Sequence, residues 1–311
     1  LEALYDLTPA ESRIAAALLG GMSIDEIAAS FGNSRETIRS HLKRVFAKTG
    51  SSGQADLVGR LNAATAPGAY AFIDADAATG QVNVLGSDAI KVGFIYRPAR
   101  VSPVGRTAVL NTTSFVNGGE SAPRNRPSLL QAFAQPDGAR LLVSINHLKS
   151  KGSPCDVPDA GDGQANCNPA RVFATRELLA WLRTDPTGTG ESDVLILGDL
   201  NSYALEDPLT LFRQAGFTDL ARERIGTQAY SFVFNGQWGT LDYALASPTL
   251  VPQVAGVAEW HINADEPPVL DFGMRFKTPE QQRSLYRADP FRSSDHDPIL
   301  LGLRLTPPAA R

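Results

Sequence analysis

Four short polar clusters, each abutting an apolar run, constrain this chain more than any other feature. Asn146-His147 follows Leu141–Ile145, and Asp199-Leu200-Asn201 follows Val194–Leu197. Asp242 precedes Tyr243–Leu245, and Asp295-His296-Asp297 precedes Pro298-Ile299-Leu300. Apolar runs of this kind, rich in branched residues and bounded by Gly, Asn or Asp, read as strands. Polar residues at their ends then project towards one rim of a sheet. There carboxylates and amides hold hard cations, and imidazoles move protons. Taken singly, Gly198-Asp199 and Ser294-Asp295 read equally well as turns, and His147 as a satisfied core histidine. Together they read as a site for phosphoryl transfer.

Strand patterns recur at Tyr70–Ile73, Ile90–Tyr96, Arg140–Ile145, Asp193–Leu197, Leu241–Leu245 and Ile299–Leu305, with helical patterns at Pro169–Arg183 and Asp207–Ala215. Strands interleaved with helices predict an α/β sandwich. A formal net charge of −4 excludes nucleic-acid binding by overall positive charge. Such binding must come from local basic patches or from metal ions. No apolar run approaches the roughly 18–20 residues of a membrane span, so no membrane partner is expected. The chain opens at Leu1, with no signal-peptide pattern, and is expected to be a piece of a longer protein.

Cys155 and Cys167 bracket the Gly/Asp-rich stretch Asp156–Asn166. The pair either closes that loop as a disulfide, which requires an oxidising compartment, or stays as two thiols; the disulfide is the expectation. Ligand spacing excludes a zinc site. Asp156, Asp159 and Asp162 lack the ligand order of a calcium loop and read as a solvated acidic loop.

Before Pro67-Gly68 the pattern is helical. Thr8-Pro9-Ala10-Glu11 and Ser23-Ile24-Asp25-Glu26 are capping boxes. Gly32-Asn33 makes a turn, and Ser34 caps a third helix carrying Ile38, Leu42, Val45 and Phe46. Its outward face holds Arg35, Thr37, Arg39, Ser40, Lys43, Arg44 and Lys48. Those residues suit contacts in a major groove, or else form a solvated basic face. Leu7–Glu11, Glu26-Ile27-Ala28 and Thr37–Lys43 through Lys48-Thr49-Gly50 resemble the LuxR-type helix-turn-helix module. That resemblance implies a DNA-binding domain over residues 1–62, with homodimerisation through it. His41 is expected to pack within the helix.

A second resemblance covers most of the remainder. It runs through Asp88–Pro98, Asn125-Arg126-Pro127, Asn146–Gly152, Leu197–Ser202, Gly239–Tyr243, Glu259–Pro267 and Ser293–Pro298. These stretches are similar to the endonuclease/exonuclease/phosphatase family, and closest to secreted bacterial nucleases. The implied fold is a four-layer α/β sandwich over residues 56–306, preceded by the small all-α domain. The implied catalytic set is His147, Asp199, Asn201, Asp242 and His296. In it His296 is the general base oriented by Asp242, and Asp88 the carboxylate partner of His147. Asp295, Asp199 and Asn201 would hold Mg²⁺, Mn²⁺ or Ca²⁺, and Arg126 would contact phosphate. The partner implied is nucleic acid, DNA or RNA. His261 matches no catalytic role and reads as structural.

The family's opening strands, one ending in Asn and the next in a metal-binding Glu, have no counterpart here. The resemblance begins only at about Asp56–Asn62, so the sandwich is expected to be incomplete and the metal site weakened. Two functions follow as alternatives: a metal-dependent phosphodiesterase, or a regulator-like DNA-binding protein with an inactive nuclease half. Localisation is contradictory, since the helix-turn-helix implies cytoplasm and the nuclease resemblance implies export.

Overall fold

The computed structural model describes residues 24–34, 65–88, 90–271, 277–285 and 290–307. It also describes Thr8, Ala10, Arg13, Ile14, Ala17, Thr37, Ile38, His41, Gly59 and Asn62. The chain divides into two compact units, Leu1–Phe72 with Glu266–Ser294, and Ile73–Asp265 with Asp295–Arg311. Sequence reasoning put the boundary at 56–62 and assigned 266–294 to the sandwich.

In the first unit, helix α1 (Ile24–Phe31) ends at Gly32, whose φ of 65° is the left-handed cap geometry that glycine adopts without strain. Ser34 Oγ accepts the Thr37 N–H at 3.1 Å, as a helix N-cap does. Ile14, Ile27, Ala28 and Ile38 pack into one small core, with the apolar spacing of amphipathic helices. Of the proposed DNA-facing set, Thr37 is exposed. Arg35, Arg39, Ser40, Lys43, Arg44 and Lys48 lie outside the described residues.

The strand patterns at 70–73 and 90–96 shrink to β1 (Ala71–Phe72) and β2 (Ile95–Tyr96). The second unit is built on a six-stranded sheet of β3 (Ser102–Leu110), β4 (Ser128–Ala134), β5 (Arg140–His147), β6 (Val194–Asp199), β7 (Thr218–Asp219) and β10 (Asp242–Ala246). Their order is β3-β4-β5-β6-β10-β7. Only β5 and β6 run parallel; the other pairs are antiparallel. A parallel pair needs a crossover, and helix α2 (Asn168–Leu182) supplies it. Strands β8 (Phe232–Phe234) and β9 (Gln237–Gly239) form a hairpin, and β11 (Val254–Glu259) pairs with β12 (Ile299–Leu303).

Alternation along the strands sorts the two faces. Ile196, Tyr243 and Leu245 pack with Leu178 of α2 and with Leu209 and Phe212 of α3 (Asp207–Gln214). Their neighbours Leu195, Ala244 and Ala246 pack with Val257, Ile299, Leu301 and Leu303 of the β11–β12 ribbon. The layers are therefore helices, central sheet and ribbon. Phe94 and Tyr96, at β2, cover the same face of the sheet as the ribbon, packing with Phe133 and Val143.

Candidate active site

Strand register assembles the site. His147, the last residue of β5, lies opposite Asp199, the last of β6. Asp199 in turn lies opposite Asp242, the first of β10. Paired residues on neighbouring strands share a face, so three polar side chains stand in a row on the face turned from the helices. Close approach of β5 and β6 depends on Gly198, which has φ 124°. A Cβ there would lie 1.9 Å from the Asn146 carbonyl oxygen, so only glycine fits.

His147 Nε2 is 3.3 Å from Asp199 Oδ2. Asn201 holds the same carboxylate, donating its N–H to Oδ1 at 2.8 Å and its amide to Oδ2 at 2.9 Å. The Asn201 amide also donates to the Leu148 carbonyl at 3.1 Å, tying the two strand ends together. His296 arrives from the loop before β12. It forms a bridge with Phe232, packs its ring on that phenyl at 4.6 Å between centroids, and bonds Asp242 Oδ2 through Nδ1 at 2.6 Å. Ser231 completes the dyad by donating to Asp242 Oδ2 at 2.8 Å and accepting the Leu241 and Asp242 N–H groups.

Asp199, Asp242 and His296 each offer a ligand atom within 4.8 Å of the others. Asp295 is exposed and enters this cluster through its charge, which acts on His296. Arg126 donates its backbone N–H to the His147 carbonyl at 3.3 Å, and its guanidinium pairs with Asp88 at 3.3 Å. The expected pairing of Asp88 with His147 is thus replaced. Asp88 answers Arg126, and the carboxylate within ion-pair reach of His147 is Asp199.

These contacts set the protonation states. Burial and the Arg126 charge push His147 down to about 4, so its ring is neutral at pH 7. Burial and the neighbouring Asp242 charge raise Asp199 to about 7, against opposition from His296, the Asn201 N–H and Arg126. Burial alone would lower His296. The hydrogen bond and charge of Asp242, with Asp199 and Asp295, outweigh it and lift the imidazole to about 9. His296 therefore carries a proton at neutral pH, and Asp199 is the group poised to gain or lose one.

Sequence reasoning missed the residues that hold the site from behind. Arg171 on α2 is fully buried. Its guanidinium donates to Ser202 Oγ and to the carbonyls of Lys149, Gln164 and Asn166 at 2.8–3.2 Å. It thereby ties the segments after β5 and β6 to the loop closed by the Cys155–Cys167 disulfide. An arginine on an amphipathic helix carries no sequence mark of burial. Ser231 is equally silent. In the disulfide loop the acidic groups serve the backbone and nearby side chains. Asp156 accepts from Ser121 and Arg124, Asp159 from the Gly161 N–H, and Asp162 from Gln164. His261 Nδ1 donates to Asp297 Oδ2 at 2.8 Å, and the other oxygen of that carboxylate accepts the N–H groups of Ile262, Asn263 and Ala264. That arrangement braces the loop bearing His296.

No protein-family profile matches the chain, and no curated protein sequence matches it. Solved structures do. An endonuclease/exonuclease/phosphatase from Bacteroides vulgatus is 14% identical with a TM-score of 0.50, covering 81% of this chain and 80% of that one. A Bacteroides thetaiotaomicron protein described as endonuclease/exonuclease/phosphatase family is 17% identical with a TM-score of 0.46, covering 65% and 68%. The 3′ phosphatase NExo from Neisseria, bound to product DNA hairpin, is 13% identical with a TM-score of 0.43, covering 81% and 84%. The first of these likenesses establishes the fold, an α/β arrangement of the endonuclease/exonuclease/phosphatase type.

Proposed function

We propose that this chain is a phosphodiester hydrolase acting on nucleic acid with the help of a divalent cation. The observation that carries the reading is the row His147–Asp199–Asp242 on three adjacent strands, closed by the His296–Asp242 dyad. A cation fits the donor set. Two carboxylates stand together, and the charge of one raises the pKa of the other, an excess that a divalent ion relieves. Asp199 and Asp242 would hold it with Asp295 alongside, and when bound it would neutralise charge on the phosphoryl oxygens.

The protein's own groups supply the rest. Asp199, fixed by Asn201, takes the proton of the attacking water. His147 is a neutral ring that meets Asp199 through Nε2 and holds it in place. His296, kept as an imidazolium by Asp242, offers its Nε2 proton to the phosphate as negative charge builds. Arg126 adds a second positive charge on the His147 side.

The pH dependence of kcat/KM on a model phosphodiester tests these roles. Below about 7 Asp199 is protonated and cannot accept a proton, and above about 9 His296 has lost the one it offers. In the presence of the cation a bell is expected whose basic limb lies near 9 and whose acid limb lies below about 7, because the ion opposes protonation of Asp199. Asp242→Asn removes the support of the imidazolium and should lower the plateau by a factor of about 10²–10⁴. A profile unaltered in Asp242→Asn would refute the assignment. Duplex binding by the amino-terminal segment is a separate proposal. A mobility-shift titration in which Arg39→Ala and Lys43→Ala bind as well as wild type would exclude it.

A further inference from the structure

Arg126, whose backbone N–H bonds the His147 carbonyl, lines a cavity of about 760 Å³, a volume within the range of small-ligand sites. Its lining includes three cationic side chains, Arg124, Arg126 and Lys149, against the single carboxylate of Asp88. In a chain of formal net charge −4, this is a local reversal of sign. Arg126 is engaged by Asp88, and Arg124 by Asp156 at 2.6 Å. Lys149 differs. Its ammonium is held by neutral oxygens, the Ser150 carbonyl and hydroxyl at 3.1 Å and the Ser153 hydroxyl at 2.7 Å. After burial, the influences that lower its pKa are the positive charges of Arg124, Arg171 and Arg126.

From this geometry we infer that the cavity is a second phosphate site, centred on Lys149 and distinct from the position where the bond breaks. Arg126 is the wall common to both, because it lines the cavity while its charge reaches His147 and Asp199. The inference rests on the phosphodiesterase reading and narrows it. The preferred substrate is a polynucleotide, whose neighbouring phosphate enters the cavity while the scissile one lies at His147. An isolated phosphodiester leaves Lys149 without its counter-charge.

The test compares thymidylyl-thymidine with its 5′-phosphorylated and 3′-phosphorylated forms, in wild type, Lys149→Met and Lys149→Arg. The added phosphate should lower KM about tenfold on one of the two ends, the advantage of one charge-assisted contact at a partly exposed site. Lys149→Met should lose that advantage, and Lys149→Arg should recover it. Equal KM for all three compounds in wild type overturns the inference. So does a loss in Lys149→Met that is the same with and without the extra phosphate. If none of the compounds is hydrolysed, calorimetric titration decides the cavity, and the phosphodiesterase reading fails by itself only if an oligonucleotide is also left intact. Binding of a phosphorylated dinucleotide that weakens about tenfold in Lys149→Met supports the site, and unchanged or absent binding overturns it.

Discussion

Arg171 shows how much of this site is held by a single side chain. A guanidinium with no exposed surface loses its hydration, and four neutral oxygens replace it. Replacement by Met leaves those oxygens without a donor, and an unfolding free energy lower by about 3–5 kcal/mol is expected in denaturant titration. A loss below about 1 kcal/mol would mean that the buried contacts are not maintained in solution. Polar residues that interrupt apolar alternation were legible in the sequence because a strand end is the one place where such an interruption is inexpensive. Arg171 and Ser231 were not, since their significance lies in what the fold brings to them. The partner of Asp88 was misread for the same reason. Which cation or imidazole a carboxylate meets depends on loops that converge only in three dimensions.

Among the elements, the β5–β6 pair decides whether the site exists. Asn146 lies opposite Gly198 in that parallel pair, one residue before His147 and Asp199. In Gly198→Ala the added methyl would sit on the Asn146 carbonyl, and the backbone φ of 124° is strained for any other residue. The strands must separate, so a loss of about 3 kcal/mol or more is expected in thermal or denaturant unfolding, with turnover falling beyond the loss of folded protein. Wild-type stability in that variant would show that the register described here is wrong. Strands β5, β6 and β10 and helices α2 and α3 could be read from the chain, the strands as short apolar runs bounded by turn residues and the helices as longer segments opening on Pro169 and Pro208. Strand β3 could not. It carries Pro103 and Gly105 and shifts register against β4 between Val104 and Ala108, a bulged edge strand that interrupts the period-two signal. Strand β4 is buried almost throughout, Gln131 included, and so lacks alternation. The Gln131 amide donates to the Val104 carbonyl at 2.9 Å and its oxygen accepts from Thr107, which is how a polar residue survives there.

At the scale of the molecule, the sequence separates a helical beginning from an α/β remainder, and the compact units are Leu1–Phe72 with Glu266–Ser294 and Ile73–Asp265 with Asp295–Arg311. Hydrophobic periodicity does not report which surface a long excursion between strands will join. The proposed cation site is likewise a property of the whole assembly. The carboxylates of the described cluster are Asp199 and Asp242, while its third group, His296, is held as an imidazolium with no lone pair to give, so the set is sparse for a hard divalent ion. On the proposed reading, weak metal binding and slow turnover are expected. The decisive measurement is cleavage of an end-labelled oligonucleotide by the full chain, with millimolar Mg²⁺ or Mn²⁺ and with chelator, in wild type, Asp199→Ala and His296→Ala. The expected result is slow cleavage, faster with Mn²⁺ than with Mg²⁺, abolished by chelator and reduced at least about a thousandfold in both variants. Cleavage that persists in Asp199→Ala and His296→Ala, or no cleavage by wild type with either metal, would contradict a phosphodiesterase site at His147, Asp199, Asp242 and His296.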